Sequence, residues 1–247
     1  MAVLLVSPHF DDVALSAYAV FADSVIGRPV SVLTVFSAAP PTPVSTDWDR
    51  RSGFADSDVA VPARILEDEA AFAGLAVERL AGGLVESQYR NGRPLDDDRD
   101  ALATLVADWL RAHNGIVVVP LGAGSPLTIV ERVRMRIPVP RIGLASGAAP
   151  NGDHLWLTDT LVSLLPASTP FAFYEEQPYA WVGDGGSERA AVLSSVLGRR
   201  LTRRTFRVDR GAKASRASCY RSQTKLIFRP WVRNLASVMA RTEAIWF

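Results

Sequence analysis

Val3-Leu4-Leu5-Val6-Ser7-Pro8-His9-Phe10-Asp11-Asp12 decides the fold. Four apolar residues without a polar interruption, stopped by Ser-Pro, read as a strand buried on both faces, as in a parallel sheet. Asp12 to Ile26 is apolar with small residues throughout and predicts a helix closed by Gly27. Val30 to Phe36 then reads as a second strand.

The alternation continues outward. Strands are expected at Ala76–Leu80, Gly115–Val119 and Pro170–Tyr174. Helices are expected over Asp58–Gly74, with Pro62 in the first turn, over Asp96–His113, and from about Asp153 to Leu165. The Pro-rich stretch 37–57 reads as a long loop. The pattern predicts an α/β fold: a Rossmann-like, mostly parallel sheet with helices on both faces. In such sheets ligands sit beyond the carboxyl ends of the strands, and the polar clusters after Val6, Phe36 and Val119 fall on that one edge.

Composition narrows the class. The chain has 247 residues, 48% of them hydrophobic and 21% charged, which excludes bulk disorder. No apolar run reaches the ~20 residues of a membrane span. The N-terminus lacks the basic region of a signal peptide. One cysteine, Cys219, excludes a disulfide framework and a cysteine-rich zinc site, so a reducing cytoplasm is the expected compartment. Residues 1–198 carry 14 Lys+Arg against 24 Asp+Glu, and residues 199–247 carry 13 against 2. The expectation is a single domain over 1–247, with 199–247 a basic C-terminal extension packed on an acidic body. The other reading is an anion-binding surface, but no nucleic-acid motif accompanies the arginines, and no nucleic-acid partner is expected. Oligomeric state is left open, a homo-oligomer included.

His9 and Asp12 stand three apart across the turn that ends the first strand, so both can converge on one cation, with Asp11 pointing to another side of it. Imidazole nitrogen and carboxylate oxygen suit zinc, which at a catalytic site needs a third ligand and an open position. The other two histidines are His113 and His154. His113 ends a predicted helix on the wrong side of a strand and reads as structural. His154, in Asn151-Gly152-Asp153-His154, opens a helix that can reach the edge carrying His9. The plainer alternative is that Asp11 and Asp12 only cap and charge the first helix, with His9 a polar turn residue.

These segments resemble the PIG-L/LmbE-like zinc-dependent N-deacetylases. Ser7 to Ser16, Ser-Pro-His-Phe-Asp-Asp-Val-Ala-Leu-Ser, is similar to the family's His-Pro-Asp-Asp-type motif after the first strand. Asn151-Gly152-Asp153-His154 is similar to its His-x-Asp-His-type motif. Trp48 to Phe54, Arg64 to Ala71, Tyr174-Glu175, Tyr220 to Gln223 and Glu243 to Trp246 resemble further segments, so the likeness spans nearly the whole chain. The resemblance implies zinc held by His9, Asp12 and His154, with Asp11 as general base. The implied reaction removes an N-acetyl group from an amino-sugar-containing small molecule, such as a secondary metabolite, a nucleoside-antibiotic intermediate or a thiol glycoside. It also implies substrate contacts at Arg64, Asn151 and Asp153. The rival readings are an amidase cleaving a larger amide, such as a thiol-sugar conjugate, and a non-catalytic sugar- or nucleotide-binding module.

Two departures from the family pattern stand out. Asn151 occupies a position where many members have His, and an amide can donate a hydrogen bond but cannot supply a proton. About 25 residues separate Gly124 from Asn151, where many members run almost directly into the second motif. That stretch carries Arg132, Arg134, Arg136 and Arg141, which read either as a solvated edge or as an arm gripping an anionic or extended substrate. Arg64 and Asp68, four apart on one helix, also permit an ordinary surface pair. Gly122 and Gly124 suggest a phosphate cradle or a loop needing close backbone approach near the metal.

Overall fold

Strand β1, Ala2–Ser7, is buried along its whole length. Its alternate residues feed two separate cores. Leu4 and Val6 pack with Val117, Val119, Leu157 and Leu161 on one face, and Val3 and Leu5 with Phe21, Val32, Val118 and Tyr174 on the other. A strand covered on both sides has no position for a solvated polar side chain, which is why it reads as an unbroken apolar run. Each fully buried Val or Leu of this kind contributes about 1.5–3 kcal/mol.

The computed structural model describes residues 1–91, 95–123, 151–177, 179–181, 185–228, 232 and 234–247. The further strands are β2 (Val30–Thr34), β3 (Val77–Ala81), β4 (Gly115–Pro120), β5 (Phe171–Tyr174), β6 (Arg203–Arg207) and β7 (Thr242–Trp246). They form one seven-stranded sheet in the order β3-β2-β1-β4-β5-β7-β6. The first five run parallel, with Leu4 of β1 opposite Ser31 of β2 and Val117 of β4. β7 is antiparallel to both β5 and β6. The chain winds outward from β1 to β3 and then from β4 the other way. The crevice beyond the carboxyl ends of β1 and β4 is therefore the switch point where such folds bind ligands.

The expected helix over Asp12–Ile26 is instead two short ones, α1 (Asp12–Ser16) and α2 (Tyr18–Phe21), broken at Ala17 with φ −132° and ψ 30°. At the break, Ala19 N donates to the buried Glu243 Oε2 at 2.8 Å, and Ser16 Oγ accepts from Gln177 N at 3.0 Å. The distant Glu243 side chain thus takes over one backbone N–H that a continuous helix would satisfy internally, and Ser16 in turn ties the break to the chain past β5. The Pro-rich stretch contains a helix, α3 (Asp47–Ser52), capped by Thr46 and closed at Gly53, where φ is 89°. Asp56 caps α4 (Ser57–Phe72), so Pro62 lies beyond the first turn expected for it. Helices α5 (Arg99–Ala112) and α6 (Gly152–Leu164) flank the first core, and their expected positions agree within a few residues.

The C-terminal stretch adds α7 (Gly185–Val196), α8 (Arg210–Ala217), α9 (Arg221–Ile227) and α10 (Leu235–Val238) to β6 and β7. Three of its cations contact the preceding part of the chain. Arg203 makes a bidentate pair with Glu175 at 2.6 and 2.8 Å, and Arg216 donates to the carbonyls of Ala71 and Ala73 at 3.1 and 2.7 Å. Lys225 donates to Ser52 O at 2.6 Å. Among the described residues, no helix is long and apolar enough to cross a membrane.

Candidate active site

The turn leaving β1 delivers His9 and Asp12 together. Asp12 Oδ2 accepts from His9 N at 2.7 Å and lies 3.1 Å from His9 Nδ1. The other Asp12 oxygen, Oδ1, lies 3.2 Å from His154 Nε2. Asp11 occupies the N-cap position of α1, yet its side chain makes no capping bond, so helix capping does not account for it. His154 is carried by α6, whose start is fixed by Asn151 Oδ1 accepting from Asp153 N at 2.9 Å.

Behind His154 stands Glu176, just past β5. Its Oε1 lies 3.3 Å from His154 Nδ1, and the same carboxylate accepts from Gly122 N at 2.7 Å and Ala123 N at 3.1 Å. Gly122 has φ 74°, and a Cβ there would meet Leu155 at 2.8 Å. The glycine turn after β4 thus cradles an anion, but that anion is the protein's own glutamate. This favours close backbone approach over phosphate binding.

One atom tests whether these residues suit a metal. His154 Nε2 is buried and makes no hydrogen bond with the described residues, Asp12 Oδ1 lying off the bonding direction. Leaving such an atom unpaired costs about 1–3 kcal/mol. With Nδ1–H donated to Glu176, Nε2 carries the lone pair, the carboxylate–histidine–metal arrangement of zinc sites. Ligand atoms of His9, Asp12 and His154 all lie within 4.8 Å of one another, and the residues fit a zinc-type cation. A second set, His9, Glu86 and Asp153, meets the same distance limit and shares His9. There Asp153 Oδ2 lies 3.1 Å and Glu86 Oε1 3.6 Å from His9 Nε2. Asp153 is buried behind the imidazole, positioned to orient it.

The electrostatics reflect crowded acids and imidazoles. Burial, then the charge of Asp12, pushes Asp11 up to about 7. Burial would also raise Asp12, but His154 and His9 outweigh it and hold its carboxyl well below the usual range. Burial would lower His154, but Asp12 and Glu176 carry it up to about 9. His9 likewise stands well above an ordinary imidazole, because Glu86, Asp12 and Asp153 overcome its burial.

A pocket of about 250 Å³ opens beside this cluster, bordered by Asp11, Phe36, Trp48, Arg64, Asn151 and Gln177 among others. Phe36 stacks on His9 with ring centroids 5.7 Å apart. Arg64 is buried and pairs not with Asp68 but with Asp49 at 3.3 Å and Glu86 at 3.2 Å. Asp68 instead accepts from Arg79 at 2.9 Å and from Tyr220 OH at 2.8 Å, which corrects the expected surface pair. Asn151 Nδ2 lies 3.5 Å from Tyr179 OH at the pocket wall. His113 is structural, its Nδ1 3.0 Å from Trp109 O at the opposite edge of the sheet. Arg132, Arg134, Arg136 and Arg141 lie outside the described residues.

Sequence reasoning missed Glu86, Glu176, Gln177 and Tyr179. Glu176 had a usable signal, since Glu175-Glu176 follows the apolar run of β5 at the same sheet edge. Gln177 follows the same strand end but carries no charge to single it out, and Glu86 and Tyr179 belong to no motif.

No family profile matches the chain, and no curated protein matches it in sequence. Its fold does match solved structures. A teicoplanin deacetylase in a zinc-inhibited form superposes with a TM-score of 0.69 at 24% identity, over 100% of this chain and 97% of that one. A deacetylase–teicoplanin complex from the teicoplanin biosynthesis pathway superposes with a TM-score of 0.64 at 23% identity, again over 100% and 97%. A deacetylase of the A40926 pseudoaglycone, an antimicrobial reagent, gives 0.65 at 21% identity over 99% of this chain and 95% of that one. At these identities the likeness establishes the fold.

Proposed function

We propose that this protein is a zinc-dependent N-deacetylase of the PIG-L/LmbE-like kind, acting on an N-acetylated amino sugar. The observation that carries the reading is the buried His154 Nε2, which makes no aligned hydrogen bond among the described residues and lies 3.2 Å from Asp12, with its ring fixed by Glu176, beside His9 and an open pocket. The motif resemblance supports the reaction. The similar solved structures, deacetylases of teicoplanin and of the A40926 pseudoaglycone, support an amino sugar borne on an antibiotic intermediate.

In this reading His9, Asp12 and His154 hold the metal, and Asp153 orients the His9 ring from behind. Zinc bound there would supply Lewis acidity toward an amide carbonyl and lower the pKa of water to about 7. Asp11 takes the proton of the attacking water on its carboxylate and returns it to the departing nitrogen. Its place beside Asp12, in contact with the pocket, suits it to both transfers. Asn151 has its oxygen committed to the α6 cap, so only its N–H donors face the pocket wall. It can support a developing oxyanion but cannot protonate the amine, which leaves Asp11 as both base and acid. Arg64, held by two carboxylates, contributes a fixed substrate contact rather than a free positive charge. The Phe36 ring shields His9 from solvent. Residues 1–247 are read as one domain, since β6 and β7 are hydrogen-bonded into the sheet, and the cytoplasm is the compartment that fits the lone Cys219.

The test is acetate release from N-acetyl-D-glucosamine and from a glycopeptide pseudoaglycone bearing N-acetylglucosamine, with metal analysis of the same sample. Acetate in proportion to bound zinc is expected. Stoichiometric zinc without acetate from either compound would defeat the reading.

A further inference from the structure

Gln177, on the pocket wall, is held by an arrangement that the proposed reaction leaves unexplained. Lys213, on α8, is fully buried, and its Nζ lies 2.7 Å from Glu243 Oε1 on β7. The same ammonium donates to Gln177 Oε1 at 2.9 Å. Glu243 Oε2 accepts from Ala19 N at the break between α1 and α2, and Gln177 N donates to Ser16 Oγ in α1. Burial pulls the Lys213 ammonium toward deprotonation, and the adjacent Glu243 carboxylate counters it.

This network fixes the orientation of one side chain. An ammonium has donors only, so the Gln177 oxygen must face it and the carboxamide cannot flip. The Gln177 nitrogen then points away from Lys213. It makes no hydrogen bond with the described residues, and Gln177 borders the pocket. A buried Lys–Glu pair does not by itself stabilise a fold beyond what apolar side chains would achieve. It does hold the pocket-facing amide in one state. Gln223, also on the wall, is locked differently: its oxygen accepts from Trp48 Nε1 at 2.8 Å and one N–H of its nitrogen is committed to Ser222 Oγ at 2.8 Å, whereas both N–H donors of Gln177 are uncommitted among the described residues.

We propose that Gln177 is a specificity-determining residue whose amide N–H, aimed by the buried Lys213–Glu243 pair, receives an oxygen acceptor of the substrate. Lys213 and Glu243 are positioning residues in this scheme. The assignment rests on the pocket being the deacetylase site proposed above.

The test separates a donor role from a structural one. In Gln177→Glu a carboxylate oxygen still accepts from Lys213, so the buried contact survives while the N–H donor is lost. With zinc-loaded protein and N-acetyl-D-glucosamine as substrate, KM should rise about tenfold. The kcat should stay within about twofold, with melting temperature and zinc content unchanged. The double variant Lys213→Met/Glu243→Gln leaves Gln177 intact but frees its amide to turn, and a smaller rise in KM is expected; this variant decides the matter should Gln177→Glu fail to fold. A wild-type KM in either folded variant, or a loss confined to kcat, overturns the assignment while leaving the deacetylase reading standing. No acetate from the wild-type protein defeats that reading, and this one with it.

Discussion

Two groups of residues in and around the pocket are built on opposite principles. On the metal side, imidazoles and carboxylates crowd together and perturb one another, with Asp11 pushed up to about 7 and Asp12 held far down. In the second group, amides are held through their oxygens, Gln177 by Lys213 and Gln223 by the Trp48 indole. In the first group protonated imidazoles offset the carboxylates until a cation displaces their protons. The second settles its charges internally, in the Lys213–Glu243 pair, and shows the substrate neutral groups. Chemistry and recognition are therefore separable, and variants on each side should fail in different ways.

The largest expected effect is on the metal side. His154→Ala should abolish turnover together with bound zinc, measured by metal analysis of purified protein. Asp11→Asn should keep zinc and lose roughly 10²–10⁴-fold in kcat, the usual range for a general acid–base residue. Zinc loss in that variant would make Asp11 a ligand and redraw the division. Glu176→Gln should weaken zinc affinity by about 10- to 100-fold in a chelator competition, because the His154 ring loses its orienting carboxylate.

A milder effect concerns the metal-free protein. Its His154 pKa, about 9, lies above the ordinary 6.5, so the folded state holds a proton that the unfolded chain releases earlier. This contribution is complete below pH 6.5 and is lost as pH rises through about 9. The melting temperature of stripped protein should fall across that window. Zinc-loaded protein, with its histidines already neutral, should lack this fall. The smallest effect belongs to the recognition side. Gln223→Met removes the Trp48 partner, worth about 1 kcal/mol, and should raise KM about fivefold with zinc content untouched.

The same division explains what was legible in the sequence. His9, Asp11 and Asp12 lie within four residues after an apolar strand, so local spacing puts them at one sheet edge, while their roles come from the motif resemblance. Asn151 to His154 announce themselves as a cap and first turn. The recognition side joins residues far apart, such as Lys213 with Gln177 and Ala19 with Glu243, and no periodicity marks such a contact. The basic strand β6 escaped notice because four of its five residues are exposed arginines or threonine, leaving no apolar alternation to read. α1 and α2 read as one helix because the break at Ala17 is satisfied by Glu243, beyond the reach of any local pattern. α3 had a readable cap in Thr46 and stop in Gly53, but its own residues are polar and it lacks an apolar stripe.

The central claim is that this pocket cleaves an acetamide with a metal held by His9, Asp12 and His154. Its most direct test is acetate release from N-acetyl-D-glucosamine by chelator-stripped protein, measured before and after one equivalent of zinc is restored. The account predicts no release from stripped protein and recovery complete at one equivalent. Release that is indifferent to stripping, or absent after zinc is restored, would contradict it.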